Sequence, residues 1–183
     1  MRLALPLALL LTTSLPAVAE MPAPTGHVLL TLGGAVTETN LPPRGENDGG
    51  LLGFLDVQHE GAAGFDAVTL DSMKQVEITI AYGPEGNQRQ IAFSGPLLAD
   101  VMTLAGAVGK TAKPMAMDGY QSEISWDSIT SHQPILATHA DGFPMGIGGY
   151  GPTMIVFRPT DDEELAQEQA GQQVWALAYI EVE

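Results

Sequence analysis

The sequence predicts an α+β fold, in which many short strands and a few helices form a single strand-rich mixed domain. The chain has 183 residues, of which 45% are hydrophobic and 16% charged, a composition typical of a compact domain rather than a disordered chain. Several segments alternate apolar and polar residues with the period of two that is typical of half-buried strands. A few other segments carry the start signals of helices, most clearly at Pro96 and at Thr160.

The N-terminal segment, residues 1–19, has the features of a cleavable secretory signal. Arg2 supplies the positive charge, residues 3–11 form an apolar run, and residues 17–19 (A-V-A) match a cleavage site. The run is too short for a bilayer, which requires about 20 residues. We therefore expect cleavage after Ala19, a periplasmic location, and a mature chain, residues 20–183, that forms one domain and is not embedded in the membrane.

The predicted strands follow from alternation and from turn signals between the segments. They lie at residues 27–36, 76–80, 89–94, 113–118, 120–126, 134–139, 153–157 and 174–182. Residues 83–87 are predicted to join two of these strands as a hairpin, and Asp118 with Gly119 is a second hairpin signal. Apolar residues on both faces of the last segment predict a strand that is buried on both sides.

Helices are predicted at residues 69–74, 96–105 and 160–170, and residues 41–53 are predicted to be a loop. Pro96 suits the first position of a helix, and Gly106 suits its end. The apolar face of this helix is formed by Leu97, Leu98, Val101, Met102 and Ala105. Thr160 and Glu163 match a capping box, which predicts the last helix.

Charge and cysteine content exclude several classes of function. The net charge is −15, so phosphate backbones are repelled and nucleic acid is not expected as a partner. A cationic or neutral partner agrees better with this charge, which also promotes solubility. The chain has no cysteine, which excludes disulfides, thiolate metal sites and cysteine nucleophiles.

A glycine-rich segment, residues 146–151, matches the pattern G-x-G-x-x-G. A dinucleotide site requires this loop to open a helix whose N-terminus binds the pyrophosphate. Pro152 and a strand-like run follow instead, so we do not expect a dinucleotide site. The glycines still allow the loop to line a pocket.

No pattern indicates a catalytic or metal site. The four histidines are scattered, and neither H-E-x-x-H nor G-x-S-x-G occurs. Met115 and Met117 place two thioethers on one face of a predicted strand, which suits Cu(I), although alternating methionines are more typical of a core. The acidic residues 161–164 are explained by the dipole of the helix that they begin.

Five segments together resemble the molybdopterin-binding domain of the sulfite oxidase family. They are F-S-G-P-L-L-A-D-V-M-T-L-A-G (93–106), A-M-D-G-Y (116–120), P-I-L-A-T-H-A-D-G-F-P-M (134–145), G-Y-G-P-T-M-I-V-F-R-P (149–159) and V-W-A-L-A-Y-I-E-V (174–182). The segment L-G-G-A-V-T-E-T-N (32–40) adds a similarity to the short, secreted, single-domain relatives of these enzymes. The resemblance implies an α+β domain of that type, with a strongly curved, strand-rich core.

The chain departs from that family at positions that matter for the cofactor. Catalytic members bind molybdenum through a cysteine thiolate, which is absent here, and Met154 lies where they tend to carry an arginine. Arg2 stands alone in the signal, whereas folded, cofactor-loaded enzymes usually carry two arginines there. We therefore predict no cofactor, and molybdopterin remains the alternative that the resemblance implies.

The resulting hypothesis is a secreted, non-catalytic binding or interaction module. Its expected partner is another periplasmic protein, for example the sensor domain of a signalling protein, or a small ligand. Two alternatives remain open. The first is a genuine molybdopterin-dependent periplasmic oxidoreductase, or a subunit of one, and the second is a periplasmic copper carrier.

The candidate binding site follows from the segments that match the family best. If the ligand-facing surface is kept, the turn at Asn40, the hairpin at 118–120 and the loop 145–151 border it. The candidate residues for binding a ligand or partner are Asn40, Asp118, Tyr120, Gly148, Gly149 and Tyr150. No catalytic and no metal-binding residue is predicted. The alternative is that Tyr120 packs in the core and that the glycines only turn the chain.

Overall fold

The structure is a computed structural model that describes residues 21–84 and 86–183. About 35% of these residues are in strands and 22% in helices, which confirms the prediction of a strand-rich α+β chain. The predicted secretory signal, with its cleavage site after Ala19, lies outside the described residues.

The secondary structure consists of short elements. The strands are β1 (Val28–Gly34), β2 (Ala63–Asp66), β3 (Gln75–Tyr82), β4 (Arg89–Pro96), β5 (Ala112–Ala116), β6 (Ile135–Ala137), β7 (His139–Ala140), β8 (Phe143–Pro144), β9 (Met154–Val156) and β10 (Leu177–Val182). The helices are α1 (Gly50–Phe54), α2 (Ala67–Ser72), α3 (Leu98–Leu104), α4 (Trp126–His132) and α5 (Glu163–Gln172).

Two four-stranded sheets organise the fold. The first has the order β2-β1-β10-β5, with β1 and β10 parallel and Thr31 opposite Tyr179. The second has the order β3-β4-β7-β8, and the strands β6 and β9 pair separately. The parallel pair joins β1, near the start of the described chain, to β10, near its end. The first sheet therefore forms only when these two segments come together.

The main hydrophobic core unites the first sheet with α3. Leu30 of β1 and Ile180 of β10 pack in one cluster with Val101 and Met102, and all four side chains are fully buried. A smaller cluster lies elsewhere on this sheet, where side chains of the segment 52–57 cover Tyr179. A third cluster belongs to the second sheet and includes the fully buried ring of Phe93.

The predicted helix 96–105 begins two residues later than its sequence indicates. Strand β4 continues to Pro96, which pairs with Gln75, and α3 begins only at Leu98. Gly95 precedes a proline and is therefore restricted to an extended conformation. A Cβ on Gly95 would also overlap the carbonyl oxygen of Leu136, so the close approach of two backbones keeps this segment in the sheet.

The predicted strand 120–126 is wrong. Residues Gln121 and Ile124 form only isolated bridges to β5, and α4 begins directly afterwards. The side chain of Ser125 caps this helix by accepting a hydrogen bond from the backbone N–H of Ser128 at 3.2 Å. A serine cap with its polar first turn therefore outweighs the short alternation that precedes it.

Two further helix boundaries differ from the prediction. The predicted loop 41–53 contains the start of α1, which begins at Gly50 with a positive φ of 83°. The last helix is capped by Asp162 rather than Thr160, because Asp162 Oδ1 accepts hydrogen bonds from the backbone N–H groups of Glu164 and Leu165. The first N–H groups of a helix have no partner within the helix. Asp162 accepts hydrogen bonds from two of them, the role that the capping-box pattern predicted for Thr160.

Candidate functional site

An open cleft of about 240 Å³ lies beside the turn that follows β5. Its lining residues are Tyr82, Ala116, Asp118, Tyr120, Ala170, Gln173 and Trp175. We call this cavity the aromatic cleft. Tyr120 is 51% exposed and Trp175 is 46% exposed, so both rings present a large part of their surface to solvent. Two exposed aromatic residues beside a cavity are typical of a recognition surface.

The turn at Asp118 and Gly119 places Tyr120 at the wall of the cleft. Gly119 has a φ of 88°, which glycine adopts without strain, and its N–H donates to the carbonyl oxygen of Ala116 at 3.0 Å. Asp118 Oδ1 accepts from the N–H of Tyr120 at 3.0 Å. The Tyr120 hydroxyl donates to the carbonyl oxygen of Gly171 at 2.7 Å, which connects the turn to α5.

Two backbone hydrogen bonds hold the segment that carries Trp175. The N–H of Ala176 donates to the carbonyl oxygen of Tyr150 at 2.8 Å, and its carbonyl oxygen accepts from the N–H of Met117 at 2.9 Å. Ala176 has a φ of 49°, in the left-handed region that residues other than glycine rarely adopt. This backbone conformation interrupts the alternation of the last strand, and Trp175 remains exposed at the cleft.

Tyr82 connects the cleft to a cluster of aromatic rings. Its ring lies edge-on to that of Tyr150, with centroids 5.1 Å apart, and to that of Phe93 at 6.0 Å. Edge-to-face contacts of this kind fix ring orientation. Burial, together with the neighbouring Tyr150, raises the pKa of the Tyr82 phenol. This hydroxyl therefore stays protonated at neutral pH.

The electrostatics of the aromatic cleft favour positive charge. Asp118 is exposed and is the charged member of the lining. Gln173 Oε1 is buried and has no hydrogen-bond partner within residues 21–84 and 86–183. A carboxylate, an unused amide oxygen and aromatic faces are all groups that interact favourably with a cation.

The structure brings some of the predicted site residues together and leaves others apart. Asp118 and Tyr120 both line the aromatic cleft, and Tyr120 does not pack in the core. Tyr150 contacts Tyr82 without being part of the lining. Gly148 and Gly149 lie in the exposed part of the loop 145–151, and neither belongs to the lining of the cleft.

Asn40 has a different environment from the other predicted site residues. Its amide nitrogen donates to the carbonyl oxygens of Pro22 at 2.7 Å and Gly64 at 2.9 Å. Its Oδ1 accepts from the N–H of Gly64 at 2.7 Å. These bonds join the N-terminal segment to β2, so the structure gives Asn40 a role in the fold.

Five lining residues were not among the candidates from the sequence, and three of them, Tyr82, Gln173 and Trp175, have aromatic or polar side chains. Trp175 alternates with Leu177 and Tyr179, and this pattern predicts a buried face rather than an exposed ring. Tyr82 ends an alternating strand directly before a turn, which is the one signal that points to an aromatic residue at an edge. Gln173 follows α5 and carries no sequence signal.

The glycine-rich loop does not open a helix. Residues 146–151 are followed by β9, as the strand-like run after Pro152 predicts. Gly148 has a φ of 100°, and a Cβ there would meet no atom within 4 Å. Without a helix N-terminus at this place, the loop lacks the group that binds a pyrophosphate.

Molybdopterin does not fit the residues of the aromatic cleft. The cofactor carries an anionic phosphate, which proteins bind with arginine, lysine or helix N-termini. The residues lining the cleft include no lysine or arginine, and Asp118 adds a negative charge. Because the chain also lacks cysteine, no thiolate is available for the metal.

The methionines of the predicted copper pair have different surroundings. Met115 is buried and packs beside Val57 and Tyr179, whereas Met117 lies after the end of β5 and lines another cavity. Among the residues that the structure describes, no three histidine, aspartate or glutamate side chains are grouped as a metal site.

Comparisons with known proteins assign no family to the chain. No protein-family model matches it, and no curated protein is significantly similar to it. Within residues 21–84 and 86–183, no helix has the length and apolar character needed to span a membrane.

Proposed function

We propose that this protein is a secreted, non-catalytic binding module whose aromatic cleft receives a cationic group, either an alkylammonium or a guanidinium. One observation carries the proposal: the exposed rings of Tyr120 and Trp175 border a cleft whose charged lining residue is Asp118. No nucleophile with a neighbouring base lines this cleft, so its chemistry is that of recognition.

The energetics of such a site are those of a cation between rings and a carboxylate. A cation over an aromatic face gains about 0.5–2 kcal/mol, and the tryptophan ring gains most. The unused Oε1 of Gln173 offers a hydrogen-bond acceptor to the same group. The net charge of −15 attracts cations from solution and raises their rate of encounter.

The proposed carrier of the cation is another periplasmic protein, for example a sensor domain that presents an arginine or lysine side chain. The secretory signal expected at residues 1–19 and the acidic composition support a periplasmic encounter with a basic partner. A small organic cation has the same chemistry, so experiments have to separate the two sources.

The remaining functions have weaker support. A molybdopterin oxidoreductase would need a ligand for the metal other than cysteine and cations for the phosphate. A copper carrier would need Met115 to leave its buried position. Molybdenum and copper analysis of the protein purified from its native periplasm tests both, since a stoichiometric metal would contradict the present proposal.

The two tryptophans of the chain allow a direct test. In a Trp126→Phe variant, Trp175 is the remaining tryptophan and its fluorescence reports on the cleft. Titration with butyltrimethylammonium and with N-acetylarginine amide is expected to give a saturable change. Asp118→Asn should weaken binding at least fivefold, while Asp161→Asn, an exposed acid outside the cleft, should leave the Kd unchanged. Equal binding by both variants would contradict the proposal.

A second titration separates the two sources of the cation. A basic peptide that contains one arginine among neutral residues presents the same guanidinium as the free derivative. Binding at least tenfold tighter than that of N-acetylarginine amide would indicate a protein partner. Equal affinities would instead indicate a free small cation, and would contradict the assignment of a protein carrier.

A further inference from the structure

A second, larger cavity lies beside the first sheet, and its lining residue Met117 stands between Ala116 and Asp118, which line the aromatic cleft. Its volume is about 500 Å³, within the range of roughly 300–1,000 Å³ of small-molecule sites. Its walls come from β1, from α1, from Met117 and from the loop 145–151, and the side chains are mainly apolar. We call this cavity the apolar groove. No residue lines both the groove and the aromatic cleft.

Several apolar side chains remain exposed around this groove. Ile147 is 77% exposed, and Val28 and Leu51 are each 38% exposed. Met117 and Met145 also line it, and methionine side chains adapt to ligands of different shapes. Apolar side chains that meet around a cavity from three separate elements favour the burial of an apolar ligand.

A smaller cavity of about 260 Å³ adjoins the groove, because Thr31 and Leu52 line both. Arg44 and His59 belong to the lining of this smaller cavity. Arg44 Nε and His59 Nδ1 are both buried, and neither has a hydrogen-bond partner among the residues that the structure describes. Arg44 Nε always carries a proton, and His59 Nδ1 carries one in one of the two neutral tautomers. Burying such a donor without an acceptor costs free energy, which a ligand carrying the acceptor would recover.

The charges around the smaller cavity restrict the ligand. Asp48 lines it beside Arg44 and offsets the attraction of the guanidinium for an anion, and the negative net charge of the chain disfavours an anion further. Burial, followed by the nearby Arg44 guanidinium, lowers the pKa of His59, so the imidazole is neutral at pH 7. A cation would meet the charge of Arg44. An uncharged acceptor such as a carbonyl oxygen avoids both penalties.

We propose that the two adjoining cavities form one binding site for an uncharged, mainly apolar small molecule that carries a carbonyl-type acceptor at one end. The apolar part lies in the groove between β1, α1 and Ile147, and the acceptor faces Arg44 and His59. This site does not depend on the proposed function, since it shares no residue with the aromatic cleft.

The first test uses N-phenyl-1-naphthylamine, an uncharged fluorophore whose emission rises in apolar surroundings. Saturable binding of one molecule per chain is expected. Ile147→Ser and Leu51→Ser should each weaken it at least fivefold, and both side chains are exposed enough for the fold to tolerate serine. Val68→Ser and Val108→Ser are matched controls, 64% and 58% exposed and outside the groove, and should bind as the unaltered protein does. Unsaturable binding, or equal losses in the controls, would overturn the proposal.

The second test addresses the acceptor. Methyl octanoate should displace the fluorophore at least tenfold more effectively than octanoate, which has the same apolar chain and a negative charge. Arg44→Lys keeps the charge but removes Nε, so methyl octanoate should bind at least fivefold more weakly while the Kd of the fluorophore is unchanged. Equal displacement by the two compounds, or unchanged binding of methyl octanoate to Arg44→Lys, would overturn the assignment of an uncharged acceptor.

Failure of this proposal can be distinguished from failure of the proposed function. The cation titration that follows Trp175 is repeated with Ile147→Ser and is expected to be unchanged. A loss of cation binding in this variant would show that the two sites are not independent, which would contradict the separation proposed here.

Discussion

Replacing Val101 with aspartate is expected to destabilise the protein by at least about 3 kcal/mol. Val101 is fully buried in the main core, and burying a valine side chain contributes about 1.5–3 kcal/mol. An aspartate at this position has to be neutralised at pH 7, which costs about 4 kcal/mol because its pKa must rise from about 3.9 to above 7. The expected loss is large compared with the effect of most surface substitutions.

Urea unfolding followed by circular dichroism measures this effect, and Val108→Asp is the matched control. Val108 is 58% exposed, so the same substitution there should change the free energy of unfolding by less than about 0.5 kcal/mol. The buried aspartate has a raised pKa in the folded state, so the loss should be smaller at pH 4 than at pH 7. Equal stability of Val101→Asp and the unaltered protein would show that α3 does not pack in the core, and would refute the prediction.

Three further predictions concern stability and processing. Hydrogen bonds from Thr69 and from the N-terminal segment hold the pKa of Asp66 well below its usual range. The stability that these bonds contribute should therefore fall as the pH drops below about 4. Asp66→Asn should remove this pH dependence of the free energy of unfolding, measured in acid titrations. Gly95→Ala should lower the Tm markedly because its Cβ overlaps the carbonyl oxygen of Leu136. Gly149→Ala should not, because Gly149 has no positive φ and its Cβ would meet the carbonyl oxygen of Gly146 at an ordinary contact distance of 3.8 Å. Intact-mass measurement of exported protein should show cleavage after Ala19, and a mature chain that keeps Met1 would contradict the signal assignment.

Local patterns in the sequence predicted those elements whose partners lie close along the chain. The alternation of Val76, Ile78 and Ile80, followed by a turn, predicted the hairpin of β3 and β4. The apolar spacing from Leu98 to Ala105 predicted the buried face of α3. In both cases the pattern of burial repeats every two residues or every three to four residues, so the sequence itself carries the information.

The same patterns were misleading where a local helix cap, or a contact between distant segments, decides the conformation. Residues 120–126 alternate like a strand, yet they have only isolated bridges to β5 and lead into a capped helix. Trp175 alternates with Leu177, yet Ala176 adopts a positive φ and bonds to Tyr150 and Met117. No local pattern indicates these bonds, because their partners are more than twenty residues away in the sequence.

The sequence by itself determined the composition of the molecule: its acidic charge, its lack of cysteine, a predicted secretory signal and a mixture of strands with a few helices. It also indicated Asp118 and Tyr120 as candidates for binding. Only the tertiary structure decided which side chains they meet, because Tyr82 reaches the aromatic cleft from β3, and Gln173 and Trp175 reach it from the segment that follows α5. A cavity forms between segments that pack together in three dimensions, and local sequence patterns do not indicate which distant segments will pack.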